Sequence, residues 1–113
     1  MPKADLGPWR QVVAGDFEAA NENVDRSLAI RPDEYNALNT RCYARVGIGR
    51  LAEGRADCVR ALELGSDSPL DRAMIAFVDG KTEEALGLWR GAIAEHPEWA
   101  FDMAPWLARA EAP

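Results

Sequence analysis

His96 is the only histidine in this 113-residue chain, and it stands beside Pro97 with Glu95 and Glu98 as its nearest acids. General acid–base catalysis needs a titrating group held within hydrogen-bond reach of a second group and of a substrate. A lone imidazole between two ordinary surface acids does not specify that arrangement. No serine or cysteine has a base close to it in sequence, so nucleophilic catalysis is not specified either. The glycines form no GxxxxGK[ST] loop that could cradle a phosphate. Cys42 and Cys58 would need two further ligands to hold a metal, and His96 is the only other histidine or cysteine. The residue types therefore lead to the expectation of a protein that is not an enzyme and has neither cofactor nor metal.

What the residues do specify is a rhythm of helices. The stretch from Gly15 to Glu34, GDFEAANENVDRSLAIRPDE, reads as a glycine turn, an amphipathic helix and a proline stop. Related stretches begin at Gly49, GRLAEGRADCVRALELGSDS, and at Gly80, GKTEEALGLWRGAIAEHPEW. Gly15, Gly49 and Gly80 sit where a helix ends in a left-handed residue. Pro32 and Pro97 lack a backbone donor and push the residue before them out of the helical region. Asp16 is placed to cap the helix that follows it, and Phe17, Ala20, Val24, Leu28 and Ile30 form its apolar stripe. Helices are predicted over residues 9–14, 17–30, 34–48, 52–64, 69–79 and 82–95. Ser68-Pro69-Leu70-Asp71 opens the fifth as cap, first-turn proline and acid reaching back. Gly54 reads as a defect inside the fourth, costing up to about 1 kcal/mol against alanine. Residues 1–7 read as a loose lead-in. A tail over residues 98–110 reads as helical in pieces, restarted at Pro105, with Trp99, Phe101, Met103, Trp106 and Leu107 covering the last hairpin.

Gly15 and Gly49 are 34 residues apart, Gly49 and Gly80 31. A repeating helical hairpin of that length resembles the tetratricopeptide repeat family. The first unit carries the likeness in Gly15, Phe17, Ala20, Leu28, Ile30 and Pro32, with Ser27 where alanine is usual. The second carries it in Leu38, Gly49, Leu51, Ala61, Leu62 and Leu64, with Cys42 at the small site, Gly54 in place of alanine and Ser66 in place of proline. The third carries it in Ala73, Gly80, Ala85, Trp89, Ala92, Ile93 and Pro97. The resemblance implies an all-α fold, a right-handed superhelical stack of antiparallel helix pairs with six to eight helices. It implies one domain with units near 1–34, 35–66 and 67–97 and a capping segment 98–113. It also puts Cys42 and Cys58 at facing packing positions of one hairpin, where they are expected as small, reduced, buried residues; a disulfide would require an oxidising compartment.

In this family the first helices of successive units line a concave groove that binds an extended peptide or a helix. Carried over by alignment, the groove positions are Asp5, Trp9, Val12 and Val13, then Asn36, Asn39, Tyr43 and Val46, then Asp67, Leu70, Met74, Phe77 and Val78. Tyr43 and Trp9 are the expected anchors. Asn36 and Asn39 alone resemble the family's clamp for chaperone tails, and Asp67 and Leu70 stand where cations would be needed, which disfavours that ligand. The lining suits an apolar segment such as an amphipathic helix.

Net charge is −6, and the excess is confined to the second half: residues 1–56 hold eight basic and eight acidic side chains, residues 57–113 five and eleven. With no basic stripe, nucleic acid is not an expected partner. No apolar run is long enough for a bilayer, so no membrane role is expected, and without a charged leader the reading is cytoplasmic. Two function classes follow. One is a protein-interaction module that binds a partner's peptide or helix in the groove. The other is a small structural or self-associating domain, homodimeric or filled by its own C-terminal segment.

Overall fold

The computed structural model describes residues 7–112, which form seven α-helices and one 3-10 turn, with no strand among the described residues. In chain order these are α1 Pro8–Val13, α2 Phe17–Ile30, α3 Tyr35–Ile48, α4 Leu51–Glu63, α5 Pro69–Val78, α6 Thr82–Glu95, the 3-10 turn Pro97–Trp99 and α7 Ala100–Glu111. The protein is all-α, and α1 to α6 begin and end within a residue of the predicted bounds. Asp5 and the rest of the expected lead-in before Gly7 lie outside the described residues.

The backbone repeats itself more closely than the sequence does. Gly15, Gly49, Gly65 and Gly80 have φ of 84°, 101°, 109° and 79°, the left-handed region that only glycine enters without a steric penalty. Each is closed by the same pair of hydrogen bonds. Gly49 N donates to Val46 O and Arg50 N to Arg45 O, and the same steps run from Gly15 to Val12 and Asp16 to Gln11, Gly65 to Leu62 and Ser66 to Ala61, Gly80 to Phe77 and Lys81 to Ala76. This is the Schellman closure, which satisfies the last carbonyls of a helix. The residues that open the second helix of each hairpin also agree: φ and ψ are −90° and 66° at Asp16, −87° and 68° at Arg50, −87° and 68° at Lys81. Before the two prolines, Arg31 at −130° and 84° matches His96 at −129° and 78°.

The chain divides into two compact units, up to Ser66 and from Asp67 onward. In the first, α1 packs on α2, α2 on α3 and α3 on α4. Val24, Leu28, Leu38 and Ala61 form an apolar cluster, with Ala37 and Leu64 against it. In the second unit α5 packs on α6 and α6 on α7. Fully buried Trp89 meets the Phe77 ring at 5.7 Å, and Arg90 reaches Glu111 at 2.7 Å to tie α6 to α7.

Several expectations are corrected. Asp16 stands at the N-cap of α2 but makes no side-chain cap bond, whereas Ser68 does accept from Leu70 N at 3.2 Å. Asp71, the acid expected to reach back at the start of α5, is fully buried. Ile30 is 81% exposed and Phe101 77% exposed, so neither belongs to the apolar stripe or the covering surface in which it was placed. Ile30 is two residues past Leu28, which turns it to the far side of α2. The tail is in two pieces, the 3-10 turn and α7, but the break is not at Pro105, which lies inside α7. Pro105 removes one helical bond, to Phe101 O, and both residues are exposed, so water can take the donor's place.

The close approach of α3 and α4 has a specific cause. A Cβ on Gly54 would lie 2.8 Å from Cys42 O and 2.8 Å from Val46 Cγ2. Gly54 is the counterpart of Ala20 and Ala85, both fully buried; glycine here is what lets the two backbones meet, so it is no defect. At that approach Cys42 and Cys58, Cα atoms 5.5 Å apart, are joined in a disulfide, which replaces the reduced thiols expected from the sequence.

Candidate functional site

α1 has six residues and α2 fourteen. Pro8 stands at the first position of α1, so among the described residues the C-terminal half of α2 has no first helix along it. The space left is a cleft of about 410 Å³ between the start of α1, the end of α2 and the start of α3. Pro8, Trp9, Val24 and Ala37 supply its apolar lining, and Arg10, Ser27, Arg31, Glu34, Asn36 and Thr40 its polar groups. Trp9 is half-buried and packs edge-on against Tyr43, ring centroids 5.5 Å apart at 75°, which fixes the indole at the cleft wall. Thr40 Oγ1 donates to Asn36 O at 3.1 Å within α3 and Ser27 Oγ to Asn23 O at 3.4 Å within α2.

Behind the cleft, charged groups lock the three longer helices of this unit together. Arg41 donates from Nε and Nη2 to Asp57 at 3.1 and 2.9 Å and from Nη1 to Asp25 at 2.9 Å, joining α3 to α4 and to α2. Arg45 Nη1 reaches the same Asp57 carboxylate at 2.9 Å, while its buried Nε has no partner. Burial alone would lower the Arg41 pKa, but the hydrogen bonds and charges of Asp57 and Asp25 outweigh it and hold the guanidinium above its ordinary value. This network has a structural role and presents no open position to a ligand.

A second hollow, of about 370 Å³, lies where α2 begins and α3 ends, lined by Gly15, Asp16, Phe17, Glu18, Gly47 and Ile48. The Phe17 ring lies over Gly47, where a Cβ would come within 2.5 Å of it. Alongside, Glu18, Asn21, Glu22, Ile48 and Arg50 border a smaller one of about 260 Å³, into whose wall the partnerless, buried Asn21 Oδ1 is set.

In the second unit His96 stacks on Trp99 at 4.1 Å and faces Glu98 through Nδ1 at 3.2 Å. The backbone N–H of Glu98 pulls that carboxyl below its ordinary value, against a smaller opposing effect of burial, and His96 adds to the lowering. His96 and Glu98 are exposed and Trp99 is half-buried. Among the described residues no group of three or more His, Cys, Asp or Glu could hold a metal ion.

The residues expected to line a groove do not share one fate. Trp9 and Asn36 border the cleft. Val12, Tyr43, Val46, Leu70 and Met74 are interior, and Tyr43 and Met74 have no exposed surface, so Tyr43 cannot anchor a partner. Val13, Asn39, Phe77 and Val78 are half-buried, Phe77 against Trp89, and Asp67 is exposed. Arg10, Ser27, Arg31, Ala37 and Thr40 were not expected at the cleft. The signal for them was Pro8: a first helix this short leaves a cleft at the end of α2.

The geometry defines the class as a small all-α protein of repeated hairpins with an apolar cleft. No family model matches the chain, and no solved structure matches it. Among curated proteins, protein FlbA of Caulobacter vibrioides is 34% identical to it over 73 residues, covering 65% of this chain. The match takes in 12% of that protein, so the chain corresponds to a small part of its length.

Proposed function

We propose that the chain is a tetratricopeptide-like interaction module, a right-handed stack of helical hairpins that holds a segment of another protein and performs no catalysis. The observation that carries this is the open cleft beside the short α1, in a backbone whose turns repeat with the family's spacing. Helical-hairpin arrays use such surfaces to hold apolar side chains of a partner. In this reading the repeat units run 1–34, 35–66 and 67–97 with a cap over 98–113, and the acidic second half keeps nucleic acid away.

Ser27 tests the reading, because it is exposed and borders the cleft without entering the core. Ser27→Trp fills the cleft. Proteins captured by the native chain and lost with Ser27→Trp, at equal thermal stability of the two, are ligands of the cleft; identical capture by both removes the cleft from the function.

Self-association is the second reading, favoured by the exposure of Phe101 and Ile30. As to compartment, no described helix is long and apolar enough to cross a membrane. The cytoplasmic placement expected from the sequence stands against the Cys42–Cys58 bond, which favours an oxidising compartment because cytosolic thiols are kept reduced.

A further inference from the structure

Arg10 and Arg31 are both exposed, both border the cleft, and the guanidinium of neither has a hydrogen bond or ion pair to any described residue. Every other described arginine is engaged. Arg41 and Arg45 share Asp57, Arg50 and Arg60 pair along their own helix, and Arg90 holds Glu111. Arg26 bonds Asn23, Arg72 the Asp67 carbonyl and Arg109 lies over Trp106, while Arg55 also has a partner. The two idle guanidiniums thus stand at one apolar cleft. Among the described residues the only carboxylate at its rim is Glu34, so the described rim carries two guanidiniums against one carboxylate in a chain whose net charge is −6.

We propose that the cleft takes a peptide segment in which one or two apolar side chains stand within about a helical turn of an aspartate or glutamate. This rests on the interaction-module reading and names the partner's chemistry. The volume of about 410 Å³ falls within the range of ligand pockets and suits a leucine or phenylalanine with a neighbour. The α2 and α3 backbones along the cleft are occupied by helical hydrogen bonds, so no strand can add there, and recognition falls to side chains. Apolar groups enter against Trp9, Val24 and Ala37. The carboxylate meets Arg10 or Arg31, whose planar forks match it in a bidentate pair.

The test is a displayed library of random heptapeptides selected on the full chain, in parallel with Arg10→Glu/Arg31→Glu and with Ser27→Trp. The two arginines are exposed and their guanidiniums are unpaired among the described residues, so thermal melts should match the native protein. Sequences enriched on the native chain should pair Leu, Ile, Phe or Trp with Asp or Glu. A labelled peptide of that consensus should bind the double variant at least about tenfold more weakly and lose affinity as salt rises. An enriched consensus without acids, or one whose affinity the double variant leaves unchanged, overturns the proposal; if such peptides are still lost on Ser27→Trp, the module reading survives. Enrichment that appears only after residues 1–6 are deleted makes the chain's own segment the occupant and overturns the proposal as well. No sequence enriched over Ser27→Trp overturns both.

Discussion

At the scale of the residue, the fold depends most on Gly54 and Asp57. Helix propensity alone says that alanine for glycine inside a helix adds about 1 kcal/mol of stability. At Gly87, inside α6, nothing lies within 4 Å of a new Cβ, so Gly87→Ala should gain that amount. At Gly54 the new methyl meets Cys42 O and Val46 Cγ2 at 2.8 Å, and a backbone carbonyl cannot swing aside as a side chain would. Gly54→Ala should therefore lose about 1–3 kcal/mol to overpacking, opposite in sign to the propensity gain. Urea midpoints of the two variants at unchanged slope decide this, and a stabilised Gly54→Ala would refute the account of how α3 meets α4. Asp57 is a matter of charge. Its side chain is 7% exposed and neutralises two guanidiniums, so Asp57→Asn leaves Arg41 and Arg45 facing each other with little water, at a cost on the order of 3 kcal/mol. Asp25 is 48% exposed and meets Arg41 alone, so Asp25→Asn should cost under about 1 kcal/mol. Equal losses at the two positions, measured by the same urea titration, would show that burial does not set the strength of this network.

At the scale of the element, the hairpin of α3 and α4 is held by a disulfide, a shared carboxylate and a glycine contact, all paired about the turn at Gly49 and Arg50. The disulfide closes a loop with a sequence separation of 16, and loop-closure entropy puts its worth at about 3 kcal/mol. A reductant should speed amide exchange in α3 and α4 while leaving α5 to α7 unchanged, because those helices lie in the other compact unit. Unchanged exchange in α3 and α4 would mean that packing alone holds the hairpin. The helices themselves could be read from the sequence, since left-handed turns need glycine and proline ends a helix whatever surrounds it. What could not be read depends on distances between elements. Gly54 looks the same in sequence whether it is a flaw or a contact, and an arginine four residues from another on α3 gives no sign that Asp57 lies across from both. Tyr43 failed as an anchor because the spacing that places it on one face of α3 does not say whether α1 covers that face. Trp9 covers it. Of the expected groove, Trp9 and Asn36, next to the short α1, border a cavity.

At the scale of the whole molecule, the distribution of exposed apolar groups and charge bears on self-association. Ile30, Tyr35, Leu51 and Phe101 are the large apolar side chains most exposed, and they belong to four different helices, α2, α3, α4 and α7. Single exposed apolar residues are ordinary on soluble proteins, whereas a stable dimer needs a contiguous patch of several hundred Å². Charge acts in the same direction: the net charge of −6 makes copies repel one another at low salt, most strongly through the acidic second half in which Phe101 stands. Light scattering coupled to size exclusion should therefore give the 12.4 kDa monomer over a wide concentration range, with the cleft at α1 free for a partner. A concentration-independent dimer would put the self-associating reading first. Phe101→Ser would then locate the contact, for a dimer that the variant dissolves is built on α7, and one that survives it is built elsewhere.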